Sequence, residues 1–220
     1  MKKLLTIVLA VIALFTLVAC AGQSQTQNAA SDNKAAEPAP QAAPAENPPA
    51  EKAAESGKKA PVKALVVYFS WSGNTESVAK HIAGAVGADT FQVKAATDYG
   101  KDYDECVKIA KDEKEKDFRP ALAEPYKGNI GDYDVIFVGY PCWWGTMPMA
   151  MFTFLEQYPV EGKKVVPFTT HEGSSFGSSL HDLKKLCPKA EILEGLSLRG
   201  TKAKDSGEEI DKWLKDLNLQ

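Results

Sequence analysis

The sequence predicts an α/β domain: a doubly wound, five-stranded parallel sheet with helices on both faces. Three observations predict it. The apolar runs 64–69, 135–140 and 165–169 lack polar alternation, the pattern of strands covered on both sides. Apolar residues at helical spacing recur between and after these runs. Strand and helix patterns therefore alternate, and right-handed crossovers turn that alternation into a parallel sheet.

The elements follow in order. Run 64–69 is the first strand, and Val78, Ile82, Ala85 and Val86 share one face of the helix after it. A weaker strand spans 90–93. Run 135–140 is the next strand, and Met151, Leu155 and Tyr158 form the stripe of its helix. Run 165–169 contains Pro167, which cannot donate to a sheet ladder, so the neighbouring strand is expected to be short or splayed there. Leu180, Leu183 and Leu186 mark the following helix, and 192–198 alternates as an edge strand does. Ser206 and Glu209 are placed as a capping box for a last helix with stripe Ile210, Trp213, Leu214 and Leu217.

Two segments precede the domain. Residues 1–20 read as a secretory signal: two lysines, then an apolar run too short for the roughly 20 residues of a membrane span. Leu17-Val18-Ala19-Cys20 resembles the lipobox of bacterial lipoproteins, in which the cysteine is lipidated. That implies an extracytoplasmic protein, anchored to a bacterial membrane through Cys20. With Ala21 following, the anchor points to the outer membrane where the cell has two. Residues 21–60 are rich in Ala and Pro and hold no aromatic residue, a composition that cannot offset its ordering entropy. They read as a disordered tether of about 35 Å root-mean-square span.

Charge and cysteines bound the chemistry. With 26 Lys+Arg against 29 Asp+Glu, the chain lacks the basic footprint of a nucleic-acid binder. Apart from Cys20, the cysteines are Cys106, Cys142 and Cys187. Their spacing fits no zinc pattern, and Cys106 and Cys187 read as small buried residues.

Ligands of such sheets bind at the carboxyl ends of the strands, and the three loops leaving the apolar runs are unusual. The first is Ser70-Trp71-Ser72-Gly73-Asn74-Thr75. A helix starting near Asn74 aims free N–H groups and the positive end of its dipole into this loop. Its hydroxyls add donors, making an uncharged cradle for a phosphate, or else an ordinary capped turn. It has neither the Lys of a Walker loop nor a Gly-x-Gly-x-x-Gly. The second loop, Pro141-Cys142-Trp143-Trp144-Gly145, carries two adjacent tryptophans that either plug the core or stack on a flat aromatic ligand. Cys142 as a nucleophile with His171 as base lacks a third group, so no catalytic residue is assigned. The third loop, Thr170-His171-Glu172-Gly173 and onward, offers hydroxyls and backbone donors to a polar ring edge.

Together these segments resemble the flavodoxin family, in its flavodoxin-like subgroup. YFSWSGNTESVA is similar to that subgroup's phosphate loop, and DVIFVGYPCWWGTMPMAMFTFLE to its flavin-stacking segment; VPFTTHEGSSFGSSLHDLKKLCP and EGLSLRG continue the match over 61–220. The resemblance implies strand order 2-1-3-4-5 and FMN as cofactor. By position it implies that Ser70, Ser72, Gly73, Asn74 and Thr75, with Trp71 between them, hold the phosphate. It also implies that Pro141, Cys142, Trp143, Trp144 and Gly145 border the flavin ring and that Thr170, His171, Glu172 and Gly173 face its pyrimidine side. His171-Glu172 departs from the Ser-Gly associated with this loop. A carboxylate there is expected to penalise negative charge on the ring. Three functions follow: an electron carrier serving a redox protein partner at the membrane, an NAD(P)H-dependent flavin or quinone oxidoreductase, or a non-redox lipoprotein binding a phosphorylated aromatic compound.

Overall fold

The computed structural model describes residues 62–219. The signal segment, the tether and Cys20 lie outside the described residues. Eleven regular elements alternate: β1 (Ala64–Tyr68), α1 (Asn74–Val86), β2 (Asp89–Gln92), α2 (Tyr103–Glu115), β3 (Val135–Pro141), α3 (Met149–Gln157), β4 (Lys164–His171), α4 (Ser179–Leu186), β5 (Glu191–Ile192), β6 (Leu196–Arg199) and α5 (Gly207–Asp216). The sheet runs β2-β1-β3-β4-β5 with every pairing parallel, and β6 also pairs with β4. The expected order 2-1-3-4-5 is therefore present, with the fifth strand in two pieces.

The split answers the question Pro167 raised. β5 pairs with the start of β4 (Lys164↔Glu191, Val165↔Ile192) and β6 with its end (Phe168↔Leu196 to His171↔Arg199). Lys163 and Val165 accept from Glu191 and Leu193 on the β5 side. Strand residues two apart face the same way, so the N–H that Pro167 lacks would have pointed there as well. The fifth strand leaves the ladder at that point. Gly195 sits against Pro167, where an added Cβ would come within 2.8 Å of the proline carbonyl oxygen.

Strand alternation divides the core. Leu65, Val67 and Phe69 face a cluster holding Cys106 of α2, Met151 of α3 and Leu183 of α4. Ala64, Val66 and Tyr68 face Val78 and Ile82 of α1 and Ile210, Trp213 and Leu214 of α5. On α1 the buried face is Thr75, Val78, Ala79 and Ile82, so Ala79 takes the place expected for Ala85, which is exposed. The capping box at α5 does not form. Ser206 Oγ instead donates back to Lys202 O at 2.8 Å, closing the 3-10 turn Gly200–Asp205.

Candidate functional site

Three loops meet at the carboxyl edge of β1, β3 and β4. The first turns into α1 through Gly73, whose φ of 86° suits a residue without Cβ. No side chain caps α1 from that position. Ser70 Oγ accepts from Glu76 N at 3.2 Å, anchoring the loop while leaving the amides of Asn74 and Thr75 without a side-chain cap. Space around Gly73 is open, with nothing within 4 Å of an added Cβ. Thr75 is buried, and its hydroxyl shares a 2.8 Å hydrogen bond with that of Thr170 at the end of β4. Cys142 N donates to Thr170 O at 2.8 Å, so Thr170 ties all three loops together.

The second loop makes a tight turn. Trp143 and Thr146 exchange backbone hydrogen bonds, and the two residues between them, Trp144 and Gly145, have φ of 51° and 79°. Positive φ at both central positions is the signature of a type I′ turn. Glycine takes it freely, whereas for tryptophan it costs about 1–2 kcal/mol. The strained residue is thrown outward. Trp144 is exposed, its indole N–H donates to Val107 O on α2 at 3.1 Å, and Lys111 lies 5.5 Å from its ring centroid. Trp143 turns inward and meets Phe69 and Tyr99 edge-on. The two tryptophans thus differ, Trp143 packed against the core and Trp144 exposed at the surface.

Between them lies a cavity of about 290 Å³ whose walls include Trp71, Tyr103, Cys106, Cys142, Trp143 and Trp144. Trp71 is fixed there by donating from its indole to Gly100 O at 3.0 Å. The cavity is apolar and aromatic, near the lower end of the ~300–1,000 Å³ usual for small-molecule sites. One wall is α2, a helix the sequence reading did not identify because its surface is mostly charged. Two signals marked it: Asp102, whose side chain caps Glu105 N at 3.1 Å, and the buried series Cys106, Ala110 and Glu113 at helical spacing. Burial, with the nearby Glu113, pushes the Cys106 thiol up to about 11, so it remains a neutral wall group. The three cysteines of the domain are free thiols.

The third loop leaves the end of β4 and carries His171 and Glu172. His171 Nδ1 accepts from Gly173 N at 2.8 Å, which occupies the nitrogen, and burial followed by Arg199 lowers its pKa. Glu172 is exposed and turns away from the aromatic cavity. Its Oε1 and the Asn74 side-chain nitrogen both lie within 3 Å of the point a Cβ on Gly200 would occupy. The carboxyl is thus at the end of the site where α1 begins, not beside the tryptophans. Ser178, at the far end of the loop, donates to Gly145 O from both N and Oγ and locks the second loop to the third.

A helix start whose first two amides carry no side-chain cap, with hydroxyl neighbours and next to an indole-lined cavity, fits a ligand with an anionic phosphate at one end and a flat ring at the other. Comparison with known proteins gives it a family. A family model described as flavodoxin matches residues 63–217. A crystal structure of a putative flavoprotein from Bacteroides eggerthii is 35% identical, covering 72% of this chain and 99% of that one, with a TM-score of 0.61. A putative flavoprotein from Bacteroides uniformis is 29% identical over 70% of this chain and 98% of that one, with a TM-score of 0.59. A flavoprotein from Lactobacillus acidophilus, solved in complex with FMN, is 22% identical over 66% and 97%, with a TM-score of 0.53, and shares the fold. A search of curated proteins gives no match.

Proposed function

The chain belongs to the flavodoxin family, and from that premise we propose that it binds FMN and carries electrons between redox partners at an extracytoplasmic membrane surface. The observation that carries the reading is the pairing of two unlike features at one strand edge. One is the α1 start with Ser72, Gly73, Asn74 and Thr75, whose first two amides carry no side-chain cap; the other is the cavity walled by Trp71, Trp143 and Trp144. The uncharged donors and the helix dipole favour a phosphate dianion. The indoles favour a flat ring and exclude water from one side of it. Bound FMN would supply reversible electron transfer, and the surrounding residues set its potential.

The roles of the chain's own groups follow from their places. Thr75 and Thr170 hold the phosphate loop to the end of β4. The turn at Trp144–Gly145 presents an indole at the cavity mouth. The lipidation signal at Cys20 would place the domain outside the cytoplasm, where free NAD(P)H is scarce, and this favours the carrier over a pyridine-nucleotide reductase. A lipid on Cys20 and the Ala/Pro-rich segment 21–60 would hold the domain near a membrane-bound partner.

The test is direct. Full-length protein expressed in a bacterium should purify yellow and take up FMN in preference to riboflavin. The flavin should be reduced by dithionite or a redox protein but not rapidly by NADPH. Rapid bleaching by NADPH alone would establish the reductase reading instead, and a colourless protein without FMN affinity would end both.

A further inference from the structure

We propose that Glu113 is a redox-linked proton holder for the aromatic cavity: Oε1 takes up a proton from solvent when negative charge enters the cavity and gives it back when the charge leaves. This rests on the proposed FMN reading.

Glu113 is the most deeply buried carboxyl group the structure shows, 5% exposed in the last third of α2. Oε2 accepts from the Tyr99 hydroxyl at 2.8 Å, while Oε1 has no hydrogen-bond partner among the described residues. A buried carboxylate oxygen without a donor is costly as an anion and inexpensive as an acid. Burial accordingly raises the pKa of Glu113, with the Tyr99 hydrogen bond and the nearby Thr97 hydroxyl opposing and Asp112 adding to the rise.

Its position couples that proton to the cavity. The Tyr99 ring lies edge-on to Trp143 at 5.2 Å and to Phe69 at 5.8 Å, and Trp143 is a cavity wall. Cys106, about two turns earlier on α2, lines the same cavity and feels the Glu113 charge. Two side chains, Tyr99 and Trp143, therefore separate the carboxyl from the ring site on one path, and Cys106 stands between them on the other. Charges interact more strongly through such an apolar layer than through water. The other side of Glu113 borders a solvent-facing groove with Thr97, Lys108, Asp112, Lys116 and Phe118. That groove is the proton's route. Of the charged groups bordering the same groove, Asp112 raises the Glu113 pKa, Lys116 is paired with Asp112 at 2.7 Å, and Lys108 stands alongside. The Thr97 hydroxyl favours the anion without meeting Oε1 in hydrogen-bond geometry.

The balance is simple. One electron, delivered by a reductant such as dithionite, adds one negative charge to the cavity. One proton from bulk water moves to Oε1, and no bond between chain and ligand forms or breaks. Oxidation returns both.

The experiment uses the full chain. In the flavin-free protein, Trp fluorescence should titrate with pH above the usual carboxylate range, and Glu113→Gln should abolish that titration. In the FMN-loaded protein, the midpoint potential of the wild type should fall more steeply with pH than that of Glu113→Gln across the same window. Tyr99→Phe removes a donor to the anion, so it should move the window to higher pH, and it serves if Glu113→Gln does not fold. Parallel potential lines for wild type and both variants would overturn the proposal while leaving FMN binding intact. Absence of FMN uptake would overturn the functional reading and this proposal with it.

Discussion

Replacing Trp143 and Trp144 one at a time separates a contribution to folding from a contribution to the proposed FMN binding. Trp143 is half-buried, with two aromatic rings each 5.2 Å from its own. Truncating a buried aromatic to alanine costs about 3–5 kcal/mol, and half burial puts Trp143→Ala toward the low end, about 2–3 kcal/mol. Trp144 is 45% exposed. Its bond to Val107 O contributes about 0.5–1.5 kcal/mol and its cation contact with Lys111 about 0.5–1 kcal/mol. Alanine inherits the positive φ, so no strain is relieved. The folding loss for Trp144→Ala is therefore about 1–2.5 kcal/mol, toward the low end at an exposed position, whereas loss of a stacked ring weakens binding by about 1–3 kcal/mol. That is roughly a tenfold to hundredfold rise in Kd. Urea unfolding of the flavin-free protein reads the first quantity, and fluorescence quenching during FMN titration reads the second. A Trp144→Ala protein that binds FMN as tightly as wild type, or is as destabilised as Trp143→Ala, would refute the division of roles.

The remaining predictions concern the two ends of the site and its buried carboxyl. Ser72→Asp should weaken FMN on the order of 30-fold at low salt, from about 2 kcal/mol of repulsion at an exposed position, and leave riboflavin unaffected. Glu172→Gln should tighten FMN relative to riboflavin, because the carboxyl stands beside Asn74; equal titrations in the two ligands would show that it does not reach the phosphate. Thr75→Val strands the Thr170 hydroxyl and should cost about 1–3 kcal/mol in urea unfolding, much of it recovered in the Thr75→Val/Thr170→Val double variant. For Glu113 the folded pKa lies above the unfolded one. Its contribution is therefore complete below the unfolded value and is lost as pH rises through the folded value. The stability advantage of Glu113→Gln over wild type should grow across that window and vanish in acid; a constant difference in urea midpoints would contradict the sign.

The parts of the fold legible in the sequence were those with a single physical cause. Residues 64–69, 135–140 and 165–169 are apolar because both faces are covered, and the structure places a strand in each. The tight turn from β1 into α1 was legible because Ser70, Ser72, Gly73, Asn74 and Thr75 follow a buried strand and precede a helical stripe. What stayed hidden depended on partners far away in sequence. Helix α2 shows a mostly charged surface and buries little, so its apolar spacing was faint, yet it supplies one wall of the cavity. The roles of Trp143 and Trp144 could not be separated until the turn fixed their φ values. The direction of Glu172 depended on Gly200, which no local pattern connects to it. The failed capping box shows the same limit: Ser206 has the right residue type, but a preceding 3-10 turn claims its hydroxyl.

The break in the fifth strand shows how one residue type shapes the site from a distance. Residues 193–195 stand opposite only 166 and 167 of β4, one residue more than a regular ladder allows. Such an insertion re-aims the strand beyond it. Because side chains alternate, a one-residue slip exchanges the buried and exposed faces. With the extra residue, Leu196 and Leu198 are buried and Arg199 is exposed. Ser197 Oγ reaches Ser175 Oγ of the third loop at 2.9 Å. Without it, the leucines would turn outward and Arg199 inward, and the third loop would lose that anchor. Pro167 removes the hydrogen bond that would have kept the ladder regular, and Gly195 provides the room for the detour. The register of β6 against the site is therefore set where no ligand is held, by a missing N–H at the middle of β4.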